Sequence, residues 1–284
     1  MVTVQSILNY IRDQFRAAQL DTPELDARLL VQGALGVSHE NLLLNSSRSI
    51  SAPEKKLLET MVQRRLQHEP VSRILGMRAF WKSDFKISPA TLDPRADSET
   101  LIEAVLNNVN KESPLTIIDM GTGTGCLLLS LLQELPQATG DGIDISPEAI
   151  EIARQNAESL NLNSRSSFMA TSWNKINAVK LYEVVISNPP YISQSEMAGL
   201  GPEVGKYDPI TALFGGVDGL DCYREIAALM PRLLAPAGML FLEIGATQAE
   251  AVKGILGKSG LVVLQTLSDL AGHDRCLVAR WIKT

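Results

Sequence analysis

Residues 188–191 read Asn-Pro-Pro-Tyr and follow an apolar run, Val184-Val185-Ile186, with the character of a buried strand. The two prolines remove two backbone donors and fix two φ angles. Pro190 also holds Pro189 extended. A strand that ends in a stiff, donor-poor turn led by an amide presents acceptors. The Asn188 side-chain oxygen is one, the Pro189 carbonyl is another, and Tyr191 adds a flat apolar wall. Two acceptors in fixed positions suit a substrate NH2 group, which has two hydrogens to engage. The plain alternative is a structural turn at a strand end.

A second chemical signal lies upstream. In IIDMGTGTGCLLLSLL, residues 117–132, an apolar run ends near Asp119 and is followed by Gly121-Thr122-Gly123-Thr124-Gly125. Glycines let backbone turn tightly and approach a ligand with no Cβ in the way. The dinucleotide pattern G-x-G-x-x-G is not met, because the third glycine comes one residue early. No Gly-Lys-Ser/Thr follows, so a phosphate-binding loop is excluded. The tighter G-x-G-x-G loop after an acid resembles the first motif of Rossmann-like S-adenosylmethionine (AdoMet) methyltransferases. Asp144 supports this reading. It ends the next strand, 23 positions after Gly121, where a carboxylate accepts hydrogen bonds from both ribose hydroxyls. Capping of the following helix already falls to Ser146 and Pro147.

These signals combine into one reaction. In a doubly wound sheet, ligands sit beyond the carboxyl ends of the strands, near the reversal of strand order. Asn188 then stands at the mouth of the cofactor crevice. An amide or exocyclic amino nitrogen is a poor nucleophile because its lone pair is delocalised. Acceptors on its two hydrogens rotate and polarise it towards a sulfonium methyl group. Orientation supplies most of the gain, and no titratable base is needed.

The surrounding pattern supplies the elements that position these residues. Val4, Ile7, Leu8, Ile11 and Phe15 recur at helical spacing. Thr22-Pro23-Glu24 opens a second helix, and Ser51 to Glu54 has the spacing of a capping box. Residues 71–95 carry short aromatic and β-branched pieces and read as strand-rich. From Ser98, helices alternate with apolar strands: strands at 115–120, 139–145, 184–187, 239–244, 262–267 and 276–281, and helices at 98–109, 126–135, 147–159, 221–234 and 247–258. This predicts an α/β protein with a mostly parallel, doubly wound sheet covered on both faces. The expected division is a small N-terminal helical domain at 1–75, a β connector at 76–95 and a Rossmann-like class I AdoMet methyltransferase domain at 96–284.

The 284 residues suffice for such an arrangement, and 45% hydrophobic with 20% charged residues is ordinary for a soluble globular chain. Cys126, Cys222 and Cys276 are far apart and show no metal-ligand spacing, as are His39, His68 and His273. No metal site or disulfide framework is expected. The N-terminal stretch lacks the apolar run of a signal peptide, and no segment is long enough to span a bilayer. A cytoplasmic protein with no membrane association fits. The net charge is −6, distributed as +3 over residues 1–95 and −9 beyond. An acidic larger part argues against a general DNA clamp. The basic stretch at 64–86 is either a solvated surface or a docking patch. Glu243, at a strand end, is either structural or lines the crevice.

At this point the chain resembles the glutamine methyltransferases of peptide chain release factors, the PrmC/HemK family. The resemblance covers RRLQHEPVSRILG at 64–76, FWKSDFKISPATLDPRADSETLIE at 80–103, IIDMGTGTGC, SNPPYI, YDPITALFGGVDGLDCYREI at 207–226, LEIG at 242–245 and DLAGHDR at 269–275. It implies AdoMet-dependent transfer to the side-chain amide of the glutamine in the Gly-Gly-Gln loop of a class I release factor. By motif it implies that Gly121, Thr122, Gly123, Thr124, Gly125 and Asp144 bind AdoMet, with Trp173 packing the adenine. Asn188, Pro189, Pro190 and Tyr191 would bind the glutamine, with Asn188, Pro189 and Tyr191 at the chemistry. The chain departs from the family at Ala96 to Thr100, where a proline and glutamate usually follow the arginine, and at Asp208, which stands for glutamate. The implied partner is the release factor, held by the N-terminal domain of a monomer. Asn-Pro-Pro-Tyr is shared with DNA adenine methyltransferases, but no inserted target-recognition domain is present. A module that only binds AdoMet would not need that motif.

Overall fold

The computed structural model describes residues 2–176 and 180–281. The chain divides into two compact units. One holds the residues up to Gly76 together with Pro202–Tyr207, and the other holds Met77–Gly201 and the residues from Asp208 onward.

The first unit is helical. It contains α1 (Val4–Ala17), α2 (Pro23–Leu35), α3 (His39–Leu44), α4 (Ala52–Leu66) and α5 (Val71–Leu75). Ser51 and Glu54 form the capping box implied by their spacing. Ile11, Phe15, Leu30 and Leu58 fill the core. A buried cation organises its polar side: Arg65 of α4 donates to Asp26 Oδ2 at 2.6 Å and to Glu203 Oε1 at 2.7 Å. Glu203 lies on the helix Pro202–Tyr207, and Tyr207 donates to the Gln67 carbonyl at 2.9 Å. This later stretch of chain is thereby fastened to α4. The first part of the segment expected to be strand-rich is helical here, because Val71 and Ile74 face the helical core.

The second unit opens with a hairpin, β1 (Met77–Phe80) against β2 (Ser83–Lys86). A 3-10 turn, Ala96–Ser98, leads into α6 (Glu99–Asn108). There follow β3 (Thr116–Met120), α7 (Cys126–Glu134), β4 (Thr139–Asp144), α8 (Pro147–Ser159), β5 (Ser166–Ala170) and β6 (Tyr182–Ser187). After the short helices α9 (Gln194–Met197) and α10 (Pro202–Tyr207, in the first unit) come α11 (Asp221–Leu233), β7 (Leu234–Glu243), α12 (Ala249–Lys258), β8 (Leu261–Ser268) and β9 (Asp274–Trp281).

Among the described residues, seven strands form one sheet in the order β5-β4-β3-β6-β7-β9-β8. The first five run parallel, and β9 is antiparallel to both β7 and β8. Successive strand residues face opposite sides. Ile117 joins the core under α6, α7 and α8, while Ile118 joins the core under α11 and α12. The sheet is thus doubly wound, as expected from the near-continuous apolar strands.

Two strands differ from the sequence reading. β5 was not anticipated, because only Phe168 of its five residues is buried and no apolar alternation marks it. β7 begins at Leu234 rather than 239, since Leu234 pairs with Tyr182 despite the intervening Pro236 and Gly238.

The order reverses at β3, whose neighbours are β4 and β6. The ends of β3 and β6 are tied together by the Ser187 hydroxyl, which donates to the Met120 carbonyl at 2.5 Å. Among the described residues, no helix is long and apolar enough to cross a membrane.

Candidate active site

The glycine loop leaves β3 and enters α7. Gly121, Gly123 and Gly125 have φ of 84°, 54° and 79°, a region that disfavours any side chain. Gly125 is also enclosed, since a Cβ there would meet Leu129, Ala153 and Phe168 at 3.2–3.4 Å. The loop is braced from below. Thr122 donates to Asp119 Oδ2 at 2.7 Å. Burial pushes the Asp119 carboxyl up to about 7, with Thr122 opposing and Asp144 adding to the rise.

A buried amide on α8 holds the far side of the loop. Asn156 donates to the Thr124 carbonyl at 2.9 Å and the Lys86 carbonyl at 3.1 Å, and it accepts from the Lys86 N–H at 2.8 Å. Nothing in the sequence marked this residue, whose partners lie 32 and 70 positions away. Removing it strands buried backbone groups, each costing roughly 1–3 kcal/mol. Asn156→Ala is expected to lower unfolding stability by about 2 kcal/mol, read as a fall in urea midpoint at unchanged slope.

Asp144, at the end of β4, faces the loop. Its Oδ2 accepts from the Gly123 N–H at 2.9 Å and its Oδ1 from the Ser146 N–H at 2.9 Å. Burial raises its pKa above the ordinary value, against these backbone donors. Each carboxylate oxygen retains lone-pair capacity towards a ligand.

Both motifs open on one cavity of ≈ 270 Å³. Gly121, Thr122, Gly123, Thr124, Asp144 and Trp173 line it, and so do Asn188 and Pro190. Gly125 sits behind, at the start of α7. Pro189 and Tyr191 are not among its walls. Trp173 stands beside the loop, where a Cβ on Gly121 would meet its ring at 3.6 Å. Tyr191 packs against the core under α11, and burial pushes its hydroxyl up to about 12.

Asn188 is oriented by a residue the sequence reading missed. Its Nδ2 donates to Ser98 Oγ at 3.1 Å, which leaves Oδ1 as the free acceptor. Ser98 is buried at the end of the 3-10 turn and lines the same cavity. No local pattern could have found it, because it is 90 positions from its partner. The departures at Ala96–Thr100 and Asp208 also have structural consequences. Arg95 pairs with the buried Asp208, whose Oδ1 accepts from the Asp93 N–H at 3.2 Å. The aspartate thus holds the segment that precedes Ser98. Asp97 meets Arg275 at 3.5 Å.

These residues fit AdoMet. Side-chain-free loop positions leave a cradle that a Cβ would obstruct, and an acid stands where ribose hydroxyls would be. Among the described residues, no group of His, Cys, Asp or Glu side chains is arranged to hold a metal ion.

Comparison with known proteins places the chain. The PrmC N-terminal domain matches residues 6–76, and the methyltransferase small domain matches residues 92–200. A release factor glutamine methyltransferase of Rhodospirillum rubrum is 46% identical over 267 residues, covering 94% of this chain and 82% of the relative. Another, of Caulobacter vibrioides, is 37% identical over 267 residues, covering 94% and 92%. The crystal structure of ribosomal protein L11 methylase from Lactobacillus delbrueckii subsp. bulgaricus covers 68% of this chain and 82% of its own, with a TM-score of 0.51; at 16% identity it shares the fold.

Proposed function

The chain belongs to the release factor glutamine methyltransferases, and from that premise we propose how its residues carry the reaction. The enzyme transfers a methyl group from AdoMet to the side-chain amide nitrogen of the glutamine in the Gly-Gly-Gln loop of a class I release factor. Bound AdoMet supplies an electrophilic methyl group on a sulfonium sulfur. Gly121 to Gly125 would cradle it with backbone, Asp144 would engage the ribose hydroxyls, and Trp173 would pack against the adenine.

The observation that carries the acceptor side is the direction of Asn188. With Nδ2 committed to Ser98, its Oδ1 is the group offered to a substrate N–H. The Pro189 carbonyl, held by two consecutive prolines, takes the second N–H. Tyr191 backs this turn, and Pro190 bounds the entrance. An amide fixed by both hydrogens presents its nitrogen along one line, and the barrier falls chiefly through orientation. The new carbon–nitrogen bond forms as the carbon–sulfur bond breaks. The methylated nitrogen then loses a proton to water, with no side-chain base. The helical unit holds the release factor, and the enzyme works in the cytoplasm as a monomer with no metal.

Peptide mapping by mass spectrometry after incubation with AdoMet and a class I release factor tests this. One added methyl group on the Gly-Gly-Gln glutamine is expected. A methyl group on another residue contradicts the acceptor assignment.

A further inference from the structure

Two stretches within the resemblance, FGGVDGL at 214–220 and LEIG at 242–245, have no part in the chemistry above. The structure brings both to the downstream end of the Asn-Pro-Pro-Tyr turn. Residues 213–215 run alongside Ile192, whose N–H donates to the Leu213 carbonyl at 2.9 Å and whose carbonyl accepts from the Gly215 N–H at 2.9 Å. The backbones approach this closely because two glycines carry no side chain. A Cβ on Gly215 would meet the Pro190 carbonyl oxygen at 2.6 Å, and one on Gly219 would meet the Tyr191 carbonyl oxygen at 2.5 Å.

One side chain joins the two stretches to the turn. Gln248, the residue before α12, donates through Nε2 to the Tyr191 carbonyl at 2.9 Å and to the Gly219 carbonyl at 3.3 Å. Its Oε1 accepts from the Gly245 N–H at 3.0 Å, and the Tyr223 hydroxyl, shared with the Glu243 carbonyl, reaches it at 3.3 Å. These partners fix the direction of the amide. A flipped amide would set its oxygen against two carbonyls and its NH2 group against a backbone N–H.

We propose that Gln248 is a positioning residue for methyl transfer: it holds the Tyr191 carbonyl against the glycine segment and thereby fixes the Pro189 carbonyl that takes the second substrate N–H. The inference rests on the methyl-transfer reading above. The upstream end of the turn is already fixed, by Ser187 on the Met120 carbonyl and by Asn188 on Ser98. Pro189 and Pro190 have no N–H to donate, so the turn is held by its ends. Their rings also fix two φ angles, so a shift of Tyr191 passes back to the Pro189 carbonyl instead of being absorbed. A misplacement of about 1 Å at a reacting centre can cost on the order of 100-fold in rate. The partners of Gln248 all lie outside the glycine loop and Asp144, so its effect falls on the acceptor side.

The test is kcat at saturating AdoMet and release factor, beside calorimetric AdoMet dissociation constants, for the parent, Gln248→Glu, Gln248→Met and Gly215→Ala. Gln248→Glu is the deciding variant. It keeps the oxygen that serves Gly245 and Tyr223, and it turns the donor nitrogen into a second oxygen facing two carbonyls. It lowers kcat on the order of tenfold, with AdoMet affinity within about twofold. Gln248→Met, of similar length and without donors, lowers kcat to a similar extent. Gly215→Ala pushes on the same turn from its other side and also slows transfer. Because both changes displace one turn, Gly215→Ala combined with Gln248→Met loses less than the product of the two single losses. A parent-like kcat in Gln248→Glu would leave Gln248 as a brace for Gly245 alone and overturns the inference. So does a loss of AdoMet affinity as large as the loss of rate, or a double variant whose losses multiply. If Gln248→Met fails to fold, Gln248→Glu decides alone. A parent that methylates no release factor refutes the methyl-transfer reading itself, and the inference with it.

Discussion

Asn188→Ala is expected to bind AdoMet as the parent does and to transfer methyl groups ~10²–10³ times more slowly, the loss seen when one fixed polar group is removed from a reacting centre. On the proposed reading, the substitution deletes the side-chain acceptor that Asn188 offers to the substrate amide. It leaves Pro189 in place, so one of the two hydrogens is still engaged, but the nitrogen is then free to rotate about that contact. The glycine loop and Asp144 are untouched, because Asn188 bonds to Ser98 and not to either of them. The loss therefore falls on kcat, with the AdoMet dissociation constant within about twofold. Single-turnover rates beside calorimetric AdoMet titration check both halves. Transfer near the parent rate would remove Asn188 from the mechanism. An equal loss of AdoMet binding would make it a cofactor residue.

Asp144→Ala is expected to do the reverse. Both carboxylate oxygens accept backbone hydrogen bonds from Gly123 and Ser146 while facing the cavity. On the proposed reading, the substitution removes two charge-assisted acceptors that would serve the ribose hydroxyls, and it releases the Gly123 N–H in the middle of the glycine loop. Hydrogen bonds to charged groups contribute roughly 1.5–3 kcal/mol each. A weakening of about 3 kcal/mol, on the order of 100-fold in AdoMet dissociation constant, follows. With AdoMet at saturation, kcat recovers to within a few-fold, since the acceptor side is intact. Calorimetry and AdoMet-dependent rates separate these outcomes. Unaltered affinity would show that the ribose is held elsewhere.

The parallel sheet was legible because its central strands are buried on both faces and read as continuous apolar runs. The helix at Pro147–Ser159 was legible to the residue, since Ser146 caps it and Pro147 opens it. β5 was not, because an edge strand with one buried side chain has no period to detect. Likewise, the glycine loop, Asp144 and Asn188 announced themselves through residue type and spacing, and they share one cavity wall with Trp173 and Pro190. Ser98 and Asn156 gave no comparable signal. Each is a polar residue inside or beside an ordinary element, and its meaning depends on a partner brought close only by folding. The Arg65–Glu203 pair, 138 positions apart, is of the same kind.

The most direct measurement uses radiolabelled AdoMet with a purified class I release factor, the same factor with its Gly-Gly-Gln glutamine changed to alanine, and duplex DNA in parallel. Label on the first and on neither of the others is the expected result. Label on DNA, or equal label on both forms of the factor, would contradict glutamine methylation as this enzyme's reaction.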